Sequence, residues 1–224
     1  MKKWISYGIL LLCIPLVLVL GATVFAQKQE AWITLAVMVL ACVPFFLSFE
    51  RRQQSATRLV LIAILAALSV VGRLIFAPLP GAKPVTAMVV ITALYFGGEA
   101  GFMTGALTAV LSNFYFGQGP WTPFQMFTWG LIGLIAGLLS KPLKRSRIAL
   151  CVYGALSGAV YSLLMDIWTV LWYDGGFNLS RYIANVATSL PFMAIYAVSN
   201  VVFLLVLAKP IGTKLERVKT KYGL

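Results

Sequence analysis

Polar side chains that could bind or react with a small molecule lie within and beside long apolar runs of this sequence. The densest stretch, residues 112–129 (SNFYFGQGPWTPFQMFTW), mixes amides, glycines and aromatic rings. Aromatic faces supply contact area, amides supply oriented donors and acceptors, and glycines allow close backbone approach. The stretch therefore predicts a binding pocket. An aromatic belt at a membrane interface would explain its tyrosine and tryptophans, but it would explain the amides poorly.

Three charged residues elsewhere in the sequence are further candidates for this predicted pocket. Arg73 and Asp166 each lie within an apolar segment, and Lys83 lies in a loop with three prolines, residues 76–84. Ionisable residues inside membrane segments are costly, so each is a candidate functional residue. Structural interpretations stay open: Arg73 could extend to the interface, the loop could only connect two helices, and Asp166 could pair with Arg73 or Arg181. The predicted substrate-binding residues are Arg73, Phe76, Lys83, Asn113, Phe116, Gln118, Trp121, Thr122, Gln125, Trp129, Asp166 and Trp172.

Composition argues against most enzymes. The sequence has no histidine, the commonest general base and metal ligand. Its three cysteines lack CxxC spacing, and it has no G-x-x-x-x-G-K-[ST] run for ATP. An acid–base pair of Asp166 and Glu99 is excluded by the topology predicted below. It places Glu99 near the inner face of the membrane and Asp166 near the outer face, too far apart for paired acid–base chemistry. We expect no catalytic residue, no metal site and no permanently bound cofactor.

The elements that position these residues are predicted to be membrane helices. The 224 residues are 61% hydrophobic and 11% charged, and several segments exceed the roughly 18 apolar residues of a bilayer span. We predict an all-α integral membrane protein with about eight transmembrane helices: a two-helix hairpin in residues 1–54, a six-helix substrate-binding domain in 55–210 and a basic tail in 211–224. The predicted helices cover residues 4–26, 32–49, 57–77, 85–97, 100–116, 123–140, 147–173 and 186–208.

Basic residues set the predicted orientation. A net charge of +12 would suggest nucleic acid binding in a soluble protein, but most of the 18 basic residues here flank alternate helix ends. The positive-inside rule then places both termini in the cytoplasm and the 112–129 stretch at the outer face. We expect a multi-pass protein of the cell membrane with the lipid bilayer, and no nucleic acid, as a partner.

Ala63 and Ala67 form a small-xxx-small pair on the first helix of the predicted six-helix domain. Small residues at this spacing allow another helix to approach closely. At 100° per residue Arg73 points about 120° away from Ala67, so one face can pack on a partner while another lines a pocket.

The predicted six-helix domain resembles the substrate-binding S component of an energy-coupling factor vitamin transporter. The resemblance rests on six helices, cytoplasmic termini, the run Ala63-Ile-Leu-Ala-Ala67 and the outer cluster. The runs KPVTAMVVIT (83–92) and GALTAVLSNFYFGQGPWTPFQM (105–126) resemble the branch associated with cobalamin uptake. The resemblance implies capture of cobalamin outside, contact of Ala63 and Ala67 with a membrane coupling subunit, two ATP-hydrolysing subunits, and delivery by toppling.

Two alternatives stay open beside cobalamin capture. The chain could be an S component for another compound, such as cobinamide, a flavin or a modified-base precursor. It could also be a membrane assembly protein without a transport role, for which the polar outer cluster would be unnecessary.

Overall fold

The computed structural model describes residues 39, 40, 42, 43 and 56–223. Residues 56–223 form seven helices and no strand. The predicted hairpin of residues 1–54 falls outside the described residues, apart from four helical positions, and stays a prediction. The helices are α1 (Ala56–Ile75), α2 (Val85–Phe96), α3 (Gly98–Phe116), α4 (Thr122–Leu138), α5 (Ser140–Arg145), α6 (Arg147–Asp174) and α7 (Leu179–Tyr222).

Five of the predicted helices match α1 to α4 and α6 within a few residues. Two features differ from the prediction. The short helix α5 was not expected, and the helix predicted at 186–208 is the middle of α7, which has 44 residues and continues through Pro191 and Pro210. Its start is defined by Asn178, whose side chain accepts a hydrogen bond from the Arg181 N–H at 3.0 Å. The residues predicted as a basic tail are therefore helical as far as Tyr222.

Three described helices are long and apolar enough to cross a membrane, namely α1, α6 and α7. Helices α2 and α4 are also apolar but shorter. Because these apolar helices make up most of the described residues, which form no strand, the protein is an α-helical membrane protein. The number of eight spans stays a prediction.

Helix α2 is the centre of the bundle. It carries no charged residue, and its residues 85–94 are all buried. A helix that is apolar on every side is expected to be enclosed, and α2 packs against each of the other six described helices. The bundle is therefore arranged around α2.

Glycines bring α3 and α4 into backbone contact. A Cβ on Gly105 would lie 2.6 Å from the backbone carbonyl carbon of Trp129, and one on Gly98 would lie 2.7 Å from the carbonyl oxygen of Leu134. Gly101 and Gly133 face each other with equally little space. Small residues allow such close approach in membranes. This contact fixes the position of Trp129 along the axis of α3.

The helices alternate in direction, so the bundle has two chemically different ends. One end, which we call the loop end, carries the loops of residues 76–84 and 117–121. The other end carries Gly97, a one-residue connection from α2 to α3 with φ of +91°, and the helix α5. Arg58 at the start of α1 donates a hydrogen bond to the Phe96 carbonyl at 2.6 Å at this second end. Arg73 lies near the loop end.

We expect Gly133→Leu to destabilise the protein by about 2–3 kcal/mol, since the added side chain has no space against Gly101. Ala187→Leu adds similar bulk at an exposed position of α7 and is the matched control. Thermal unfolding in detergent measures both. Equal unfolding midpoints for the two variants would contradict the close α3–α4 contact.

Candidate functional site

Arg73 lies in the last turn of α1 with only 4% of its surface exposed. Its Nη1 donates hydrogen bonds to the Ser112 hydroxyl and, at 2.9 Å, to Asn113 Oδ1. The guanidinium carbon lies 4.4 Å from the Phe116 ring centre and 5.2 Å from that of Trp129. Cation–π contact offsets part of the cost of burying this charge. The Nε atom is buried without a hydrogen-bond partner among the described residues.

A chain of amide hydrogen bonds connects Arg73 to the far side of the bundle. Asn113 is 1% exposed and donates through Nδ2 to Thr122 Oγ1 and Gln125 Oε1, each at 2.9 Å. Gln125 donates through Nε2 to the Tyr161 hydroxyl at 3.0 Å. Each amide therefore bridges two helices, because its oxygen accepts from one neighbour while its nitrogen donates to the next.

Three aromatic rings complete the arrangement. Trp129 and Tyr161 are stacked, with ring centres 5.1 Å apart and planes inclined by 20°. The Tyr196 ring centre lies 4.9 Å from that of Tyr161. Trp129 Nε1 donates to the Tyr196 hydroxyl at 3.0 Å, and Thr86 Oγ1 lies 3.1 Å from the same hydroxyl. The indole N–H and both tyrosine hydroxyls thus have hydrogen-bond partners, as buried tyrosine and tryptophan usually require.

Lys83 lies in the loop beside Arg73. Its backbone N–H donates to the Ser199 hydroxyl at 3.2 Å, which ties the loop to α7. Burial and, to a smaller extent, the nearby positive charge of Arg73 lower the pKa of the Lys83 ammonium to about 8. We use the name Arg73 cluster for Arg73, Lys83, Asn113, Gln125, Trp129, Tyr161 and Tyr196.

Four other predicted site residues lie at the edge of the Arg73 cluster. Phe116 stacks on Arg73, and Thr122 accepts from Asn113 while donating to Gln118 Oε1 at 3.0 Å. Gln118 also donates to the Val110 carbonyl at 2.8 Å. Trp121 lies directly over Gly119, where any side chain would collide with its indole ring. These contacts fix the loop of residues 117–121 over the cluster.

The remaining three predicted site residues contact other parts of the bundle. Phe76 packs edge to face on Phe203 of α7, with ring centres 4.8 Å apart. Trp172 packs on Trp168 of the same helix, with ring centres 5.2 Å apart, and is 41% exposed. Asp166 accepts a hydrogen bond from the Ser189 hydroxyl at 2.7 Å.

The ion pair considered for Asp166 is not formed among the described residues. Arg181 instead forms a salt bridge with Asp174, with 3.1 Å between Nε and Oδ2. Arg73 has hydroxyl, amide and aromatic partners rather than a carboxylate. Asp166 therefore acts within the α6–α7 contact through Ser189.

Sequence reasoning missed several residues of the site, above all Tyr161 and Tyr196. Their signal was present, because a tyrosine in the middle of a membrane helix needs a partner for its hydroxyl. Ser112, Thr86 and Ser199 were missed for a different reason. Hydroxyl side chains in membrane helices often bond to their own backbone, and nothing in their spacing marks these three as partners of Arg73, Tyr196 or Lys83.

A cavity of about 330 Å³ lies at the opposite end of the bundle. Lys144, Arg147 and Glu216 are among its lining residues. Lys144 lies over the Tyr95 ring at 4.1 Å, and Lys219 donates to the Tyr95 carbonyl at 3.0 Å. The Arg73 cluster is the stronger candidate for a substrate site, because it combines buried polar groups and stacked rings inside the bundle, whereas the cavity is lined in part by exposed lysines.

The Lys83 pKa leads to a prediction about stability and pH. The folded protein loses the Lys83 proton near pH 8, whereas the unfolded chain keeps it until about pH 10.5. The unfolded state therefore binds more protons between these values, and stability rises with pH there. We expect Lys83→Met to stabilise the protein at about pH 7, by roughly 3 kcal/mol at most, and this advantage to shrink by about pH 9.5.

Unfolding in detergent at a series of pH values measures this effect. Lys209→Met, at an exposed position of α7, is the control and should follow the wild-type profile. Parallel profiles for wild type and Lys83→Met would contradict the burial of the Lys83 ammonium.

Comparison with known proteins identifies the family. No curated protein and no solved structure matches the chain. Residues 53–217, well over half of the sequence, match the family described as "ECF-type riboflavin transporter, S component". These residues include five of the six long helices in full, α7 as far as residue 217, and the whole Arg73 cluster. The chain therefore belongs to the ECF-type riboflavin transporter S component family, whose members are substrate-binding subunits of transporters and not enzymes.

Proposed function

We propose that the chain captures a vitamin at the Arg73 cluster and passes it to an ATP-driven energy-coupling factor module. One observation carries the proposal: all six long helices contribute a polar or aromatic side chain to the same place. The contributors are Arg73 from α1, Thr86 from α2, Asn113 from α3, Gln125 and Trp129 from α4, Tyr161 from α6 and Tyr196 from α7.

A purely structural role explains this convergence poorly. Burying a charge and several amides inside a membrane bundle is costly, and well-packed apolar side chains would hold the same helices together at least as well. Binding sites for small molecules, by contrast, place a few oriented polar groups among aromatic rings. The Arg73 cluster has this composition, and its side chains bond to one another where ligand groups would take their place.

The geometry favours a planar vitamin as substrate. The stacked faces of Trp129 and Tyr161 suit an aromatic ring, and Asn113 and Gln125 offer amide donors and acceptors at its edge. A flavin satisfies these requirements and agrees with the description of the family. Cobalamin is the second candidate, supported by the resemblance of residues 83–92 and 105–126. Its larger ring system requires the contacts among Asn113, Gln125 and Tyr161 to open further.

We place the loop end outside the cell and both termini in the cytoplasm of a plasma-membrane protein. The basic residues at the ends of the helices support this orientation. The energy for uptake comes from partners, a membrane coupling subunit and two ATP-hydrolysing subunits. The family membership implies interaction with such a module.

Helix α1 offers a surface for the coupling subunit. Ala63 and Ala67 are both exposed, and larger apolar side chains on the same face, such as Ile64 and Leu68, are about half exposed. Arg73 is buried on another side of the helix. One face of α1 can therefore meet a partner while the other holds the substrate, as the sequence spacing predicts.

The substrate site is tested by a matched pair of tyrosine variants on α6. Tyr161→Phe removes the hydroxyl that accepts from Gln125, whereas Tyr153→Phe removes one that donates to the Ile132 carbonyl, two turns away from the cluster. Each loses one hydrogen bond, worth about 1 kcal/mol of stability. We expect only Tyr161→Phe to change the affinity of the bound vitamin, by about five- to tenfold.

Titration of the purified chain in detergent with riboflavin, cobalamin and cobinamide measures this. Riboflavin binding affected by Tyr161→Phe supports the flavin proposal, and cobalamin binding affected in the same way supports the second candidate. Binding that responds equally to both variants would contradict the location of the site.

The coupling surface is tested by Ala67→Arg. A long charged side chain on the exposed face of α1 should prevent close helix contact, so we expect vitamin binding to persist while copurification with the coupling subunit is lost. Ala187→Arg, on the exposed face of α7, is the control. Retention of the coupling subunit by Ala67→Arg would show that α1 is not the contact.

A further inference from the structure

We infer that the substrate carries an anionic group, a carboxylate or a phosphate, which binds between the Arg73 guanidinium and the Lys83 ammonium. This inference rests on the proposed function and specifies the charge of the substrate. It starts from a charge imbalance at the loop end of the bundle.

The described residues provide no counter-charge for these two cations. Asp174 is paired with Arg181 and Asp166 accepts from Ser189. Glu216 lines the cavity at the opposite end, and Glu99 lies in the first turn of α3 at that same end. The other two acids of the sequence, Glu30 and Glu50, fall outside the described residues.

Arg73 has unused donor capacity inside the cluster. Its Nη1 is occupied by Ser112 and Asn113, but Nε has no acceptor although the residue is only 4% exposed. A buried donor without a partner costs free energy that a bound acceptor would recover. A carboxylate or phosphate is well suited, since its oxygens can accept from two guanidinium nitrogens at once.

Lys83 supplies the second cation from a fixed position. Pro78, Pro80 and Pro84 restrict the loop that carries it, and its backbone N–H is bonded to Ser199. No described residue accepts a hydrogen bond from its ammonium group. The lowered pKa of Lys83 agrees with this arrangement, because the ammonium is partly desolvated by burial and the like charge of Arg73 is nearby. An anion between them would remove this repulsion.

A structural explanation covers only part of these observations. The aromatic faces of Phe116 and Trp129 offset some of the cost of burying Arg73. They do nothing for Lys83, which has no aromatic ring over its ammonium group among the described residues. The two cations together are therefore better explained by a ligand than by packing.

Matched pairs of compounds that differ in one anionic group test the inference. The full chain in detergent is titrated with riboflavin and riboflavin 5′-phosphate, nicotinamide and nicotinate, pantothenol and pantothenate, and biotin amide and biotin. We expect the anionic member of one pair to bind at least about tenfold tighter than its neutral partner.

Three variants assign that preference to the two cations. Lys83→Gln should reduce it to about threefold or less, and it changes only a loop side chain. Asn113→Asp places a carboxylate beside Arg73 Nη1, which now lies 2.9 Å from Asn113 Oδ1, so it should lower the affinity of the anionic member more than that of the neutral one. Arg181→Gln removes a cation that is already paired and 61% exposed, and should leave the preference unchanged.

The outcomes separate this inference from the proposed function. A vitamin that binds equally well in its neutral and anionic forms overturns the inference and leaves the proposed function standing. A preference reduced as much by Arg181→Gln as by Lys83→Gln also overturns it, since general surface charge would then be the cause. No binding of any vitamin overturns both.

Discussion

The burial of Arg73 inside a membrane bundle is the constraint on which the site depends. A guanidinium that is 4% exposed in lipid surroundings must be enclosed by acceptors and aromatic faces, and one helix cannot supply them. Ser112 and Asn113 come from α3, and Trp129 comes from α4. The glycine contact between α3 and α4 sets the relative position of these partners, because Gly105 touches the backbone of Trp129 itself. Packing of small residues and chemistry of the site are therefore linked.

The two ends of the bundle are suited to different tasks. Near the loop end, polar side chains are enclosed and directed at one another, as a selective binding site requires. At the opposite end, Lys144 and Lys219 surround Tyr95 beside an open cavity, and α7 extends past Pro210 to Tyr222. Between the ends, α1 combines a buried face containing Arg73 with an exposed face containing Ala63 and Ala67. A substrate-binding subunit that works with a coupling partner needs both faces.

Much of the fold followed from the sequence, because apolar run length defines membrane helices well. The stretch 112–129 and the isolated Arg73 also led to the candidate site, since polar groups within apolar segments are rare. Tyr161 and Tyr196 were missed because their role depends on how α6 and α7 are rotated toward α4. The α3–α4 glycine contact was missed for the same reason, and α7 was predicted too short because its polar continuation past Lys209 lacks the apolar signal of a span.

A structure of the full chain with its vitamin bound tests the central claim most directly. We predict ligand density enclosed by Arg73, Asn113, Trp129 and Tyr161, with the Gln125–Tyr161 hydrogen bond opened or shared with the ligand. Density in the cavity beside Tyr95 and Lys144, with the Arg73 cluster unchanged, would contradict the account.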